Sequence, residues 1–267
     1  MRAYIDFYLT QMKTAIVVQF QYRVANYFYM IGMIAEPVIY LVVWSTVANA
    51  QGGSVAGFTP ARFAAYYIIW TLVRNMNIAL TPYAWEHYIQ RGHLSMALLR
   101  PLHPFHADLA YFSGWKFVVI IMWLPIAAVL TWIFKPELHP QPWQLLAFGV
   151  ALWGGFLVRF VWLYLLGLVT FWTTRVSAFF ELYFTIELLF SGRLVPLALL
   201  PGWAQRIADL LPFKWAFGYP IELLLSIQPK SQALAGLGMQ LFWIVLGGLA
   251  TALLWRFAIR RYSAVGA

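Results

Sequence analysis

Arg91-Gly92-His93-Leu94-Ser95-Met96-Ala97-Leu98-Leu99-Arg100-Pro101-Leu102 sits inside a polar break, residues 82–116, flanked by apolar stretches long enough to cross a bilayer. Four of the five histidines crowd into this break, together with Glu86, Arg91 and Arg100. A polar loop of this kind between membrane spans has to be read by something outside the membrane.

Composition points the same way. The 267 residues are 63% hydrophobic and 10% charged, whereas a soluble domain is roughly half apolar and a quarter charged. An integral membrane protein is therefore expected. The net charge of +9 does not indicate nucleic acid: the basic residues are thinly spread at the ends of apolar runs, as topology determinants are. With no cysteine there is neither a disulfide framework nor a thiolate metal site. Residues 1–25 hold no compact apolar core followed by a small-residue cleavage site, so no secretory signal peptide is expected.

Within residues 1–27, Ile5, Leu9, Met12, Ile16 and Phe20 recur three or four apart, which predicts an amphipathic helix lying in the interface. The plain alternative is the exposed start of the first span. Six spans are expected near residues 28–50, 63–81, 117–134, 145–171, 176–190 and 234–257, each tested against a need for about 20 mostly apolar residues. The fold class is thus all-α integral membrane, one transmembrane domain over residues 1–267. Residues 191–226 open with Ser191-Gly192-Arg193-Leu194-Val195-Pro196 and are then cut by Pro201, Pro212 and Pro220. Proline removes a backbone donor and disfavours an unbroken helix. This region therefore reads as short re-entrant or surface-lying helices, not a seventh span. Small residues at Ala147, Ala151 and Gly155, and at Gly248 and Ala252, predict close helix approach. Trp143 and Trp172 fit interfacial belts, while Trp123 and Trp162 read as packing residues.

If both termini share one side, that side receives Arg2, Lys13, Arg23, Arg91, Arg100, Lys116, Arg175, Arg256, Arg260 and Arg261. The other receives Arg62, Lys135, Arg193, Arg206, Lys214 and Lys230, mostly within the long fifth connection, which weighs less in the rule. Both termini and the 82–116 loop are therefore expected in the cytoplasm.

No G-x-x-x-x-G-K-[ST] phosphate loop is present, so ATP-driven transport would need its nucleotide sites on another polypeptide. His87, His93, His103 and His106 could suggest a metal site, but Pro104 interrupts the closest pair and the only acidic neighbours are Glu86 and Asp108. No metal is expected. Glu36, Arg74, Arg159, Glu181 and Glu187 fall within spans, where an ionisable group is costly and faces a partner, a cavity or a substrate. Arg74 and Asn77 share a helix face by spacing, and Glu181 and Glu187 point apart. Interhelical pairing and a polar lining for a substrate head group both fit.

This order of features resembles the membrane subunit of an ABC-2 type exporter, in particular a branch of bacterial permeases of about this length. The most specific matches are Arg91-Gly92-His93-Leu94 leading into Leu98-Leu99-Arg100-Pro101-Leu102, and Ser191 to Pro196 followed by Leu200-Pro201-Gly202-Trp203. The resemblance implies that Glu86, Arg91, Gly92, Leu94, Leu98, Arg100 and Pro101 belong to a coupling helix that docks on a separate ATPase, which would carry ATP and Mg, with no cofactor on this chain. It also implies a second permease, identical or related, and membrane lipid as partners, an external gate containing Gly192, Pro196 and Pro201, and a bacterial plasma (inner) membrane location. An ion- or proton-coupled secondary transporter using Arg74, Arg159, Glu181 and Glu187 is the alternative.

Overall fold

The computed structural model describes residues 2–173, 176–225 and 229–262. Twelve α-helices follow in order: α1 (Arg2–Gln21), α2 (Arg23–Ala50), α3 (Pro60–Met76), α4 (Pro82–Gln90), α5 (His93–Leu98), α6 (Pro104–Phe134), α7 (Pro142–Gly167), α8 (Ser177–Phe190), α9 (Gly202–Asp209), α10 (Pro212–Ala216), α11 (Gly218–Leu225) and α12 (Lys230–Ala258). No strand occurs among the described residues. Arg175, counted above among the cytoplasmic charges, and Ser226, the end of the proposed gate region, lie outside them.

Proline starts helices in this chain more often than it stops them. Its missing N–H costs nothing in a first turn, and its fixed φ suits one. Proline occupies the start of α3, α4, α6, α7 and α10. Thr59 Oγ1 accepts the Arg62 N–H at 3.2 Å and Thr81 Oγ1 the Ala84 N–H at 3.2 Å, so α3 and α4 are also capped by threonine. The prolines of the 191–226 region act likewise: Pro201 is the N-cap of α9, Pro212 begins α10, and Pro220 lies in the first turn of α11.

The same rule redraws the polar break. It is not one loop: α4 and α5 form a short hairpin, and α6 begins at Pro104, well before the expected span start at 117. Lys116, expected at the membrane edge, is instead fully buried within α6. α3 also ends earlier than expected, at Met76.

Among the described residues three helices are long and apolar enough to cross a bilayer: α6, α7 with its 3-10 continuation to Phe171, and α12 with its continuation to Arg261. Ile34–Ala50 of α2 is a shorter apolar helix. Centrally placed α3 is buried along almost its whole length; Phe63, Tyr66, Trp70, Val73 and Met76 pack with Leu152, Phe217 and Ile221. At 14 residues α8 rises only about 21 Å, short of the roughly 30 Å hydrocarbon core.

Close approaches are set by particular residues. α1 lies on α6, where a Cβ at Gly114 would fall 2.5 Å from the Met12 carbonyl oxygen. Ala15 is buried there, whereas Ile5, Leu9 and Phe20 of the predicted stripe remain exposed. At Gly155 of α7 a Cβ would stand 2.6 Å from the Ala216 carbonyl oxygen of α10. Gly248 meets nothing within 4 Å; its neighbour Gly247 is the close approach, against Val161 and Trp162. The α12 face thus lies one residue from the predicted small-residue pair. Trp123 and Trp162 do pack internally, Trp123 Nε1 donating to Thr71 Oγ1 at 2.7 Å and Trp162 Nε1 to the Trp243 carbonyl at 3.3 Å.

Candidate functional site

The final carbonyls of a helix lack intrahelical partners and carry the negative end of its dipole. At the C-cap of α3 and the residue just beyond it, carbonyls gather two buried cations. Arg159 of α7 donates through Nη1 to the Asn77 carbonyl, and Lys116 of α6 donates to the Ile78 carbonyl. Lys116 Nζ is also enclosed by rings, 4.8 Å from Trp115, 5.0 Å from Phe156 and 5.7 Å from Phe112. Cation–π attraction strengthens where water is excluded.

Glu187, fully buried on α8, completes the cluster. It accepts from Arg159 Nε at 2.7 Å and Nη2 at 3.1 Å, and from Arg193 Nη1 at 2.8 Å. Both guanidinium groups lie over the Phe217 ring, at 5.5 and 5.4 Å. A bidentate arginine on a buried carboxylate is the geometry that best offsets the cost of burying charge. Arg193 follows Gly192, whose φ of +87° belongs to the left-handed region and where a Cβ would lie 2.8 Å from Tyr66 Oη. Tyr66 donates to the Gly192 carbonyl at 2.6 Å and Tyr67 to the Leu194 carbonyl at 3.2 Å. The turn is thereby tied to α3. Pro196 is buried just beyond it.

Sequence spacing placed Arg74 with Asn77, but the structure separates them. Arg74 turns to Glu36 of α2 at 2.7 Å, half-exposed, while Asn77 is the buried C-cap of α3 and donates to the Ala216 carbonyl at 2.9 Å. Asn77 keeps the helical register through its N–H bond to the Val73 carbonyl, but the two side chains reach different neighbours. Glu181 is exposed and Glu187 buried; the expected divergence is present. Lys116 was missed as a site residue because in sequence it reads as an edge charge.

The other cluster is the α4–α5 hairpin. Trp85 is buried edge-on against Tyr164, ring centres 4.9 Å apart. Glu86 points inward rather than to the surroundings: its Oε1 accepts the Val176 N–H at 2.9 Å and the Ser177 N–H at 3.3 Å, at the start of α8. Arg91 ends α4 and Gly92, at φ +71°, begins α5. Leu94, which the resemblance assigns to the docking helix, is fully buried and offers no outward apolar contact; the helix turns its first apolar residue to the protein. Met96 (66%) and Leu99 (81%) are the most open apolar residues of the hairpin, with Leu98, Arg91, Arg100 and Pro101 also exposed. Ser95 Oγ and Tyr262 Oη, 2.7 Å apart, join the hairpin to the chain beyond α12.

The histidines serve separate structural contacts. His87 and His93 stack with centroids 5.1 Å apart; desolvation, then Arg91 and His93, lower the His87 pKa. His103 Nδ1 accepts the Phe105 N–H at 3.2 Å and caps α6, and burial, then His106, lower its pKa. His106 Nδ1 lies 2.8 Å from Tyr8 Oη. Among the described residues no three His, Cys, Asp or Glu side chains gather to hold a metal.

At the bundle end where α3 and α7 begin, an open cavity of about 550 Å³ is lined by Arg62, Glu137, His139, Trp143 and Lys230 among others. The hairpin lies at the opposite end, where α3 finishes and α6 starts.

Such a helical bundle, with apolar spanning helices and its charges either paired at the centre or set at its two ends, defines a membrane-embedded protein. Residues 34–266 match the ABC-2 family transporter protein family, and the chain belongs to it: it is a transmembrane permease component of an ABC transporter. No curated protein matches the chain.

Proposed function

We propose that this permease serves an ATP-driven exporter and that a separate ABC ATPase docks on the α4–α5 hairpin. The observation that carries this reading is the hairpin's outer face: Met96, Leu98 and Leu99 exposed between exposed Arg91 and Arg100. An apolar patch on a short helix, rimmed by charge, suits insertion into a groove on a partner. ATP and Mg would bind on the partner, and this chain would bring no catalytic group.

In this reading two permease chains, identical or related, face each other across a path for an amphipathic, lipid-like or drug-like cargo. The chain would cross a bacterial plasma membrane six times, with the short α8 as a fifth crossing that the bilayer accommodates by local thinning, and with both termini and the hairpin in the cytoplasm. The Arg62-lined cavity then opens outward, and the turn at Gly192, Pro196 and Pro201 belongs to the external gate. Ion pairs occupy Arg74, Arg159 and Glu187, three of the four groups that ion- or proton-coupled transport would use; the fourth, Glu181, is exposed.

A tagged chain purified from gently solubilised native membranes tests the proposal. An ATPase subunit and a second permease are expected, with ATP hydrolysis in the eluate. Recovery of this chain alone, without hydrolysis, would overturn it in favour of the ion-coupled reading.

A further inference from the structure

Glu86 is partly buried, and its carboxylate is engaged within the protein. Its carboxylate receives the first two backbone N–H groups of α8, from Val176 and Ser177, and α8 has no side-chain cap of its own. A carboxylate at a helix N-terminus satisfies orphan donors and meets the positive end of the dipole. The cap comes from a different helix, so it fastens α4 to α8 end-on. Along its inner face α8 packs through Phe180, Tyr183 and Phe184, Tyr183 lying edge-on to Phe213 with centroids 5.0 Å apart, while Phe179, Leu182 and Leu189 are exposed. Glu187 lies about 15 Å further along the same helix, where it grips Arg159 and Arg193. Two carboxylates thus fix α8, one to the hairpin and one to the turn that begins at Gly192.

We infer that Glu86 is a positioning residue that transmits hairpin movement along α8 to the Arg159–Glu187–Arg193 cluster and the Gly192 turn. This rests on the reading of the hairpin as the ATPase dock. A rigid helix held at two points delivers displacement from one end to the other, whereas a helix freed at one end does not. Leu94 and Trp85, buried beneath the hairpin, keep α4 and α5 seated, and Val176 and Phe180 keep the start of α8 packed against Trp85 and Tyr164; loss of the carboxylate therefore removes the polar tie between α4 and α8 while both stay in place.

The chain has no cysteine, which allows a site-specific report. Ala198→Cys, at an exposed position after Pro196, is labelled with a membrane-impermeant maleimide in native membranes, with and without ATP plus orthovanadate. The parent should show a nucleotide-dependent labelling rate. Added Glu86→Ala should lose that dependence while ATPase co-purification persists, and Glu86→Gln, which keeps an acceptor oxygen, should restore it. A nucleotide response surviving in Glu86→Ala would overturn the inference, as would loss of the ATPase in that variant, which would make Glu86 a docking contact. A failure to restore by Glu86→Gln in a folded complex would also overturn the capping argument. If the parent itself carries no ATPase, the docking reading fails first and this inference with it.

Discussion

Arg159 and Glu187 join α7 to α8 through two hydrogen bonds, 2.7 Å from Nε and 3.1 Å from Nη2, with the carboxylate wholly buried. Arg159 at the same time reaches the terminal carbonyl of α3. Three helices therefore meet at one guanidinium. Arg159→Leu leaves Glu187 to Arg193 alone and strips the α3 terminus of a donor. Removing one partner of a buried pair costs about 3–5 kcal/mol, so the unfolding midpoint in detergent, followed by tryptophan fluorescence, should fall markedly. An unchanged midpoint would show that the pair does not hold the helices together.

The hairpin separates docking from folding. Met96→Asp with Leu99→Asp alters two exposed side chains and should reduce co-purifying ATPase tenfold or more, equivalent to about 1.4 kcal/mol, with no change in thermal stability. Leu94→Asp places a charge at a buried site and should instead destabilise the chain, by at least about 2 kcal/mol. Equal losses of stability in both variants would contradict this division.

Gly155 and Gly248 look equivalent in sequence and differ in space. Gly155→Ala forces a methyl group against the Ala216 carbonyl and should cost about 1–3 kcal/mol. Gly248→Ala meets open space and should lie within about 0.5 kcal/mol of the parent. Chemical denaturation of both variants checks the contrast.

His103 should make stability depend on pH. Its ring caps α6 through unprotonated Nδ1, and its pKa lies below the ordinary 6.5. As pH falls through that value the unfolded chain takes up the proton first, so stability present above it declines as pH drops further. A positive ring at a helix start is also opposed by the dipole. The unfolding midpoint should fall between neutral and mildly acid pH, and His103→Asn, which caps without titrating, should flatten that slope.

Sidedness can be read from single cysteines. His139→Cys should react with an impermeant maleimide on intact cells, and Met96→Cys only after permeabilisation. The reverse pattern would invert the proposed topology.

Much of the helical plan was legible from local signals. Apolar runs located α6, α7 and α12, and left-handed Gly92 was recognisable as the break before α5 because a residue without Cβ suits that conformation. Pro201, Pro212 and Pro220 read as breaks in the sequence and stand at helix starts; Pro104 acts likewise, which sets the beginning of α6 there and takes Lys116 off the membrane edge. That signal was present in the sequence. The partners of Lys116 were not, since the Ile78 carbonyl and the Trp115 and Phe156 rings come together only through packing.

Hydrophobicity along the chain was enough to determine a helical membrane protein, because burying apolar side chains in lipid depends on residue type and length of run, which are local. Which charge meets which depends on where helices end and how they turn toward one another. Spacing set Arg74 on one helix face with Asn77, and the family resemblance assigned Glu86 and Leu94 to one docking helix. The tertiary structure sent Arg74 to Glu36, Glu86 to the start of α8 and Leu94 into the core. Each outcome is decided by the nearest complementary group in three dimensions, a helix terminus, a carboxylate or a hydrophobic pocket, and those are brought close only once the chain has folded.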